Sequence, residues 1–188
     1  SGRGVGSCAC REEIAVPASQ AVGHREPAEI GTLDAGAHAP VAAGADAVGF
    51  VFATSVREIT LAHALPLAER ARGRIQIVAV MRHPAPSFAE GVCRRLKPDW
   101  LQTDLEDMDS LARIKNVNRL PVYRGRAPDG AVPARVLFEG AESGTGETCD
   151  WSQASTLSAR TQLILAGGLK PDNVSAAIRE VKPFGVDV

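Results

Sequence analysis

The feature that most limits how this chain can fold is a repeated alternation. Short apolar runs give way to longer segments with helical spacing, again and again, from Ala45 to the last residue. The apolar runs are 45–52, 74–81, 99–102, 119–123, 134–138, 161–166 and 184–188. The helical segments are 34–43, 61–72, 88–96, 107–114, 151–159 and 171–181. In the second of these, Leu61, Leu65 and Ala68 share one face. Asp150 is placed to cap 151–159, and Pro171 suits a first helical turn. An acidic first turn opens 107–114. Pro121 argues against a central strand at 119–123, since it cannot donate to a ladder.

Strands separated by helices imply βαβ units and a parallel sheet. Most of the runs lack a polar alternation, as expected of parallel strands covered on both faces. About seven strands follow Ala45, and an eighth is expected near 28–33, a count that favours a closed barrel. The fold class expected is therefore α/β, a (β/α)8 TIM barrel. A small parallel sheet is the alternative. Residues 1–27 show no periodicity and read as an N-terminal extension, either a tag-like remnant or a disordered arm. The barrel is expected over 28–188.

Composition narrows the function. The chain has 188 residues, 45% hydrophobic and 23% charged, with a formal net charge of −1. That length suits one domain with a sizeable core. The near-neutral balance argues against a nucleic-acid partner and against a polybasic membrane patch. No apolar run is long enough to cross a membrane, and the first 30 residues hold no secretory h-region. Cys8, Cys10, Cys93 and Cys149 fit neither a zinc site nor a disulfide scaffold, and Cys8-Ala9-Cys10 is too tight for a C-x2-C ligand pair. Reduced thiols and a cytoplasmic location are the expectation. Nothing in the sequence sets an oligomeric state.

Three loops carry chemistry. The run 161–166 stops at Gly167-Gly168, and a helical segment follows. Glycine lets a backbone approach a ligand closely, and the N–H groups of such a turn suit a phosphate. In barrels, phosphates often sit on the loops after the seventh and eighth strands. A simple tight turn is the alternative. The Gly-rich loop 140–151 follows the run 134–138 and could serve as a mobile lid. It lacks the Lys-Ser/Thr pair of a P-loop. Glu139 stands where that run ends, at the expected barrel mouth, where acid–base chemistry belongs. It reads otherwise as a solvated loop glutamate. Arg57 follows the run 45–52, where a guanidinium can hold a carboxylate in bidentate fashion. The plain reading there is a surface arginine.

Taken in order, these segments resemble the phosphoribosylanthranilate isomerase family of tryptophan biosynthesis. The resemblance rests on Gly44-Ala45-Asp46-Ala47-Val48-Gly49-Phe50-Val51-Phe52, Ser143-Gly144-Thr145-Gly146 with Asp150-Trp151, Leu165-Ala166-Gly167-Gly168-Leu169 with Pro171-Asp172-Asn173-Val174, and Pro183-Phe184-Gly185-Val186-Asp187-Val188. It implies an Amadori rearrangement of a phosphosugar, N-(5'-phosphoribosyl)anthranilate, with one acid, one base and no cofactor. It implies that Glu139 stands where the family has its acid, an Asp. Arg57 matches the arginine that holds the anthranilate carboxylate. Gly167 and Gly168 match the phosphate-binding pair, and Asp187 an acidic residue near the substrate.

Two departures accompany the resemblance. The family's base is a cysteine in a Lys-Ile-Cys-Gly-Leu-Thr type strand, and the matching segment, 29–34, holds none. Cys8 and Cys10 lie too early to fill the place. Glu29 or Asp34 is the candidate substitute, although no spacing demands it. The family also continues past Val-Asp-Val with a Ser-Ser-Gly-Val turn and a helix, so a truncated sequence is the expectation. A non-catalytic phosphosugar-binding barrel is the alternative function. A metal-dependent epimerase-like or thiamine-phosphate-synthase-like barrel is disfavoured. His24, His38, His63 and His83 are not expected in a metal-ligand constellation at strand ends.

Overall fold

The computed structural model describes residues 15–17, 44–141 and 148–188. One sheet organises them. Its strands are β1 (Ala15–Pro17), β2 (Ala47–Val51), β3 (Gln76–Val80), β4 (Trp100–Asp104), β5 (Asn118–Arg124), β6 (Arg135–Glu139), β7 (Gln162–Leu165) and β8 (Gly185–Asp187). Four helices accompany them: α1 (Leu61–Ala71), α2 (Pro86–Leu96), α3 (Trp151–Ser158) and α4 (Val174–Val181). The strand order is β1-β8-β7-β6-β5-β4-β3-β2. Every pair from β2 to β8 is parallel. Sequential parallel neighbours joined through helices are the wall of a (β/α) barrel.

The two faces of the wall hold different side chains, as the period of two along a strand requires. One face gathers Ala47, Val78, Leu120, Val122, Leu137, Ile164 and Ala166 into the barrel interior. The other meets the helices in two clusters. One contains Phe50, Ile77, Leu101 and the α1 and α2 residues Ala64, Ala68 and Leu96. The second contains Val136, Phe138, Leu163 and Leu165 with Leu157 of α3 and Ala177 of α4. Each fully buried Phe or Leu contributes roughly 1.5–3 kcal/mol on burial. All five residues of β2 are buried, which is why that run shows no polar alternation.

Several local expectations change. The strand expected near 28–33 and the helix expected at 34–43 lie outside the described residues. Within the segment read as an extension, Ala15–Pro17 forms β1, and it pairs antiparallel with β8. An added strand satisfies backbone groups that an open edge of β8 would present to water. The helix expected at 107–114 is instead a 3-10 turn, Leu105–Asp107, followed by further turns. The carbonyls of that stretch find a partner outside it, since the Arg119 guanidinium donates to the Leu111 carbonyl at 2.6 Å and the Ile114 carbonyl at 2.7 Å. The last helix starts at Val174 rather than Pro171.

Pro121 does lie inside β5, between β4 and β6. The ladder to β6 begins only at Val122, whereas Pro121 is already in register with Thr103 of β4. At Pro121 itself β5 has one paired side, so the missing N–H breaks no ladder toward β6.

Candidate functional site

The C-terminal ends of the parallel strands collect charge. Arg124 lies two residues beyond Val122, and Glu139 two beyond Leu137. Val122 and Leu137 are interior residues, so the alternation also turns Arg124 and Glu139 inward, at the mouth. Asp104 ends β4 and Asp187 ends β8, and both are buried at 5% exposure. Charged groups almost never bury this far without partners.

The partners are visible for three of them. Arg124 Nε donates to Asp104 Oδ1 at 2.5 Å, and Arg124 Nη1 donates to Glu139 Oε1. Arg124 and Glu139 are register partners across β5 and β6. One guanidinium thus bridges the carboxylates of two other strands, through two different nitrogens. Such charge-assisted bonds are about twice as strong as neutral ones and fix geometry.

A second group adjoins Asp104 from the β3 side. The His83 backbone N–H donates to Asp107 Oδ2 at 3.0 Å, and His83 Nδ1 lies 3.2 Å from Asp107 Oδ1. Thr103 Oγ1 donates to Asp107 Oδ2 at 2.8 Å. Burial works to raise the Asp107 pKa, but the hydrogen bonds from Thr103 and His83 outweigh it and hold the carboxyl below its ordinary range. His83 Nε2 is 3.5 Å from Asp104 Oδ2, and Arg82 Nε is 3.7 Å from the same oxygen. His83 adopts φ of +46°, a left-handed conformation uncommon outside glycine. The expectation that His83 stands in no metal-ligand constellation at a strand end is therefore corrected. His83, Asp104 and Asp107 offer ligand atoms within 4.8 Å of one another. Arg124 holds Asp104 Oδ1, and two protein donors hold Asp107 Oδ2, whereas the buried Asp104 Oδ2 accepts no hydrogen bond among the described residues.

The other residues singled out by sequence stand elsewhere on the same rim. Arg57 is half-buried on a loop that folds back on β2, with Ile59 N donating to the Val51 carbonyl at 2.9 Å. Its own N–H donates to Ser55 Oγ at 3.0 Å. Gly167 and Gly168 follow β7 with φ of +87° and +63°, which side-chain-bearing residues adopt only under strain. Asn173 braces this turn. It accepts from Lys170 N at 2.8 Å and donates to the Gly168 carbonyl at 2.9 Å. Of the expected site residues, only Glu139 joins the Arg124 cluster through a described contact.

Neither described cysteine offers an obvious proton acceptor. Cys149 is buried and its thiol is pushed up to about 11, chiefly by burial and further by Asp150 and Glu139. Burial also raises Cys93, which sits on α2 in the outer layer.

Sequence reasoning missed Asp104, Arg124, His83 and Asp107. A usable signal existed for two of them: a charged residue at the C-terminal end of a barrel strand is a candidate by position alone.

The family of N-(5'-phosphoribosyl)anthranilate (PRA) isomerase matches residues 32–188, most of the chain. The chain belongs to this family. The N-(5'-phosphoribosyl)anthranilate isomerase of Listeria welshimeri is 32% identical over 161 residues, covering 80% of this chain and 80% of that protein. The one from Haloferax volcanii is 38% identical, over 78% of this chain and 74% of its own length. A crystal structure of phosphoribosyl anthranilate isomerase in complex with reduced 1-(o-carboxyphenylamino)-1-deoxyribulose 5-phosphate aligns with a TM-score of 0.60 and 25% identity. It covers 77% of this chain and 75% of that one. The barrel reading and the family reading therefore agree.

Proposed function

We propose that this member of the family is itself an isomerase of N-(5'-phosphoribosyl)anthranilate, acting in tryptophan biosynthesis. The rearrangement opens the ribose ring, removes the proton from C2 and delivers a ketone. It uses no cofactor. The observation that carries the reading is the charged mouth. A carboxyl at the end of β6, Glu139, is held inward by the half-buried Arg124, at the position where the family resemblance requires proton chemistry.

The substrate is a phosphosugar with two anionic ends. In this reading the Gly167-Gly168 turn takes the 5'-phosphate, Arg57 takes the aromatic carboxylate, and Asp187 borders the sugar. The left-handed glycines support the first assignment, since a Cβ-free turn lets phosphate oxygens reach backbone N–H groups. Residues 28–188 act as the catalytic domain, and 1–27 precede it as an extension. The cytoplasm is the proposed location. No helix among the described residues is long and apolar enough to cross a membrane.

A second reading has its own observation. Segment 29–34 contains no cysteine where the family has its base. On that ground the alternative is a phosphosugar-binding barrel without turnover. Following the loss of anthranilate fluorescence separates the two. The isomerase reading expects turnover of the natural substrate. The binding reading expects none, with the reduced product analogue still bound.

A further inference from the structure

We propose a divalent transition-metal site at the barrel mouth, with His83 Nε2 and Asp104 Oδ2 as its protein ligands and Asp107 as the group that orients the imidazole. The rearrangement proposed above needs no metal, so this is a further binding site and does not rest on the isomerase reading. Asp104 ends β4, four residues beyond Trp100, which packs against the interior cluster, so the strand alternation turns Asp104 inward. Its side chain is 7% exposed, and Oδ2 accepts no hydrogen bond among the described residues. Leaving a buried carboxylate oxygen in that state is costly, and a positive group beside it removes the cost. The ring of His83 stands there, with Nε2 3.5 Å from Asp104 Oδ2.

The far side of the ring decides what can lie between those two atoms. His83 Nδ1 is 3.2 Å from Asp107 Oδ1, and a carboxylate can only accept. Nδ1 therefore carries the proton, and Nε2 of the neutral ring offers a lone pair toward Asp104 Oδ2. Two lone pairs that face each other need a cation between them. A proton on Nε2 would close the contact to about 2.7–2.9 Å, as charged partners do. The observed separation is too long for that. Two ligands each about 2.1 Å from a tetrahedral ion stand roughly 3.4 Å apart, which agrees with the 3.5 Å seen.

Both ligands are also held from behind, as metal ligands are. Arg124 Nε donates to Asp104 Oδ1 at 2.5 Å and leaves Oδ2 for the ion. Asp107 Oδ2 accepts from the His83 N–H at 3.0 Å and from Thr103 Oγ1 at 2.8 Å, which fixes the carboxylate that grips Nδ1. One ligand atom from each of His83, Asp104 and Asp107 lies within 4.8 Å of the other two. The local charge permits a cation. Arg82 and Arg124 face Asp104, but Asp107 and Glu106, whose Oε1 is 3.6 Å from His83 Nδ1, add two further carboxylates. Arg82 is half exposed, and its Nε at 3.7 Å is beyond hydrogen-bond reach, so an arriving ion displaces it to water. Imidazole with carboxylate suits Zn²⁺ best among the common divalent ions. The remaining positions of the ion open to water or to the oxygen atoms of a ligand in the mouth.

The probe is Zn²⁺, titrated by calorimetry into the chelator-treated full chain and into His83→Ala, Asp104→Asn, Asp107→Asn and His63→Ala. His63 is an exposed histidine on α1 and serves as the control. Long-range proton–nitrogen NMR of the histidine rings accompanies the titration. One Zn²⁺ event should appear in the unmodified chain and in His63→Ala and vanish in His83→Ala and Asp104→Asn. In Asp107→Asn it should weaken about 10- to 100-fold. The His83 Nε2 signal should shift on Zn²⁺ addition while Nδ1 keeps its proton. Zn²⁺ binding to His83→Ala that matches the unmodified chain overturns the proposal. So do His83 nitrogen signals that stay still under saturating Zn²⁺, and a His83 ring that keeps a proton on both nitrogens throughout the titration at neutral pH. His83 lies half exposed on a loop, so His83→Ala decides alone if Asp104→Asn does not fold.

Discussion

Two arginines point into this barrel from neighbouring strands, and they live in opposite worlds. Arg135 opens β6 at the floor, whereas Arg124 closes β5 at the mouth. The Arg135 guanidinium lies 4.6 Å from the Trp100 ring centroid and 4.5 Å from that of Phe184. It also donates to Gln162 Oε1 at 2.8 and 3.1 Å, and Trp100 Nε1 donates to Gln76 Oε1 at 3.0 Å. Aromatic rings and amides do not ionise near neutral pH, so these contacts offer packing and hydrogen bonds rather than acid–base groups. Burial lowers the Arg135 pKa, but an arginine has ample margin to stay charged. The partners of Arg124 are carboxylates, which titrate. The same residue type therefore meets aromatic rings and an amide at the floor and carboxylates at the mouth.

Substitutions at each end should separate the two roles. The largest effect is expected at the mouth. Glu139→Gln removes the titratable group with little change of shape and should lower kcat by about 100-fold or more. The product analogue should still bind, and the melting temperature should barely move. Equal activity of this variant in the fluorescence assay would remove Glu139 from the chemistry. The next effect belongs to the floor. Arg135→Ala strips the cation from two aromatic rings and should cost about 2 kcal/mol in denaturant unfolding. Its kcat and KM should stay close to those of the unmodified chain. A loss of turnover in well-folded Arg135→Ala would break the division between the ends.

Smaller effects sharpen the picture around the rim. Asn173→Ala removes two hydrogen bonds that brace the Gly167-Gly168 turn. The two bonds together hold the turn by about 2 kcal/mol, part of which falls on phosphate binding, so KM should rise roughly 5- to 10-fold while kcat holds. A change in kcat alone would argue that the turn does not hold the phosphate. The smallest effect lies outside the mouth. Asp150 caps α3 by accepting from Ser152 N at 2.9 Å and Gln153 N at 3.2 Å. The Gln153 side chain, Ser152 and the backbone N–H groups hold its pKa at about 2, below the ordinary carboxyl value. Because the folded value is depressed, the capping stability is complete above the unfolded pKa of about 4. It is lost as pH falls through about 2. The protection of the Ser152 and Gln153 amides, relative to their intrinsic exchange rates, should fall in that window and stay constant above it.

Much of the fold is legible along the chain because it depends on local spacing. The runs at 45–52, 74–81, 134–138 and 161–166 become β2, β3, β6 and β7, and 61–72, 88–96 and 151–159 become α1, α2 and α3. Failures occur where distant groups intervene. Segment 107–114 has a helical pattern, but Arg119 captures two of its carbonyls. Strands β4 and β5 run on to Asp104 and Arg124, past the points where the apolar runs end. A charged residue looks like the start of a loop when its partner is out of view. Here the partners are each other, from different strands.

The sequence by itself settles the α/β alternation, the glycine pair after the penultimate strand and the carboxyl at the end of β6. Those are properties of spacing, backbone permissiveness and side-chain type, which act within a few residues. Only the tertiary structure decides that Arg124 spans Asp104 and Glu139, that His83 rests on Asp107, and that Arg135 lies between two rings. Curling the sheet brings charges from separate strands to contact distance in a medium that screens them poorly. Which charges meet follows from that curvature rather than from any one residue.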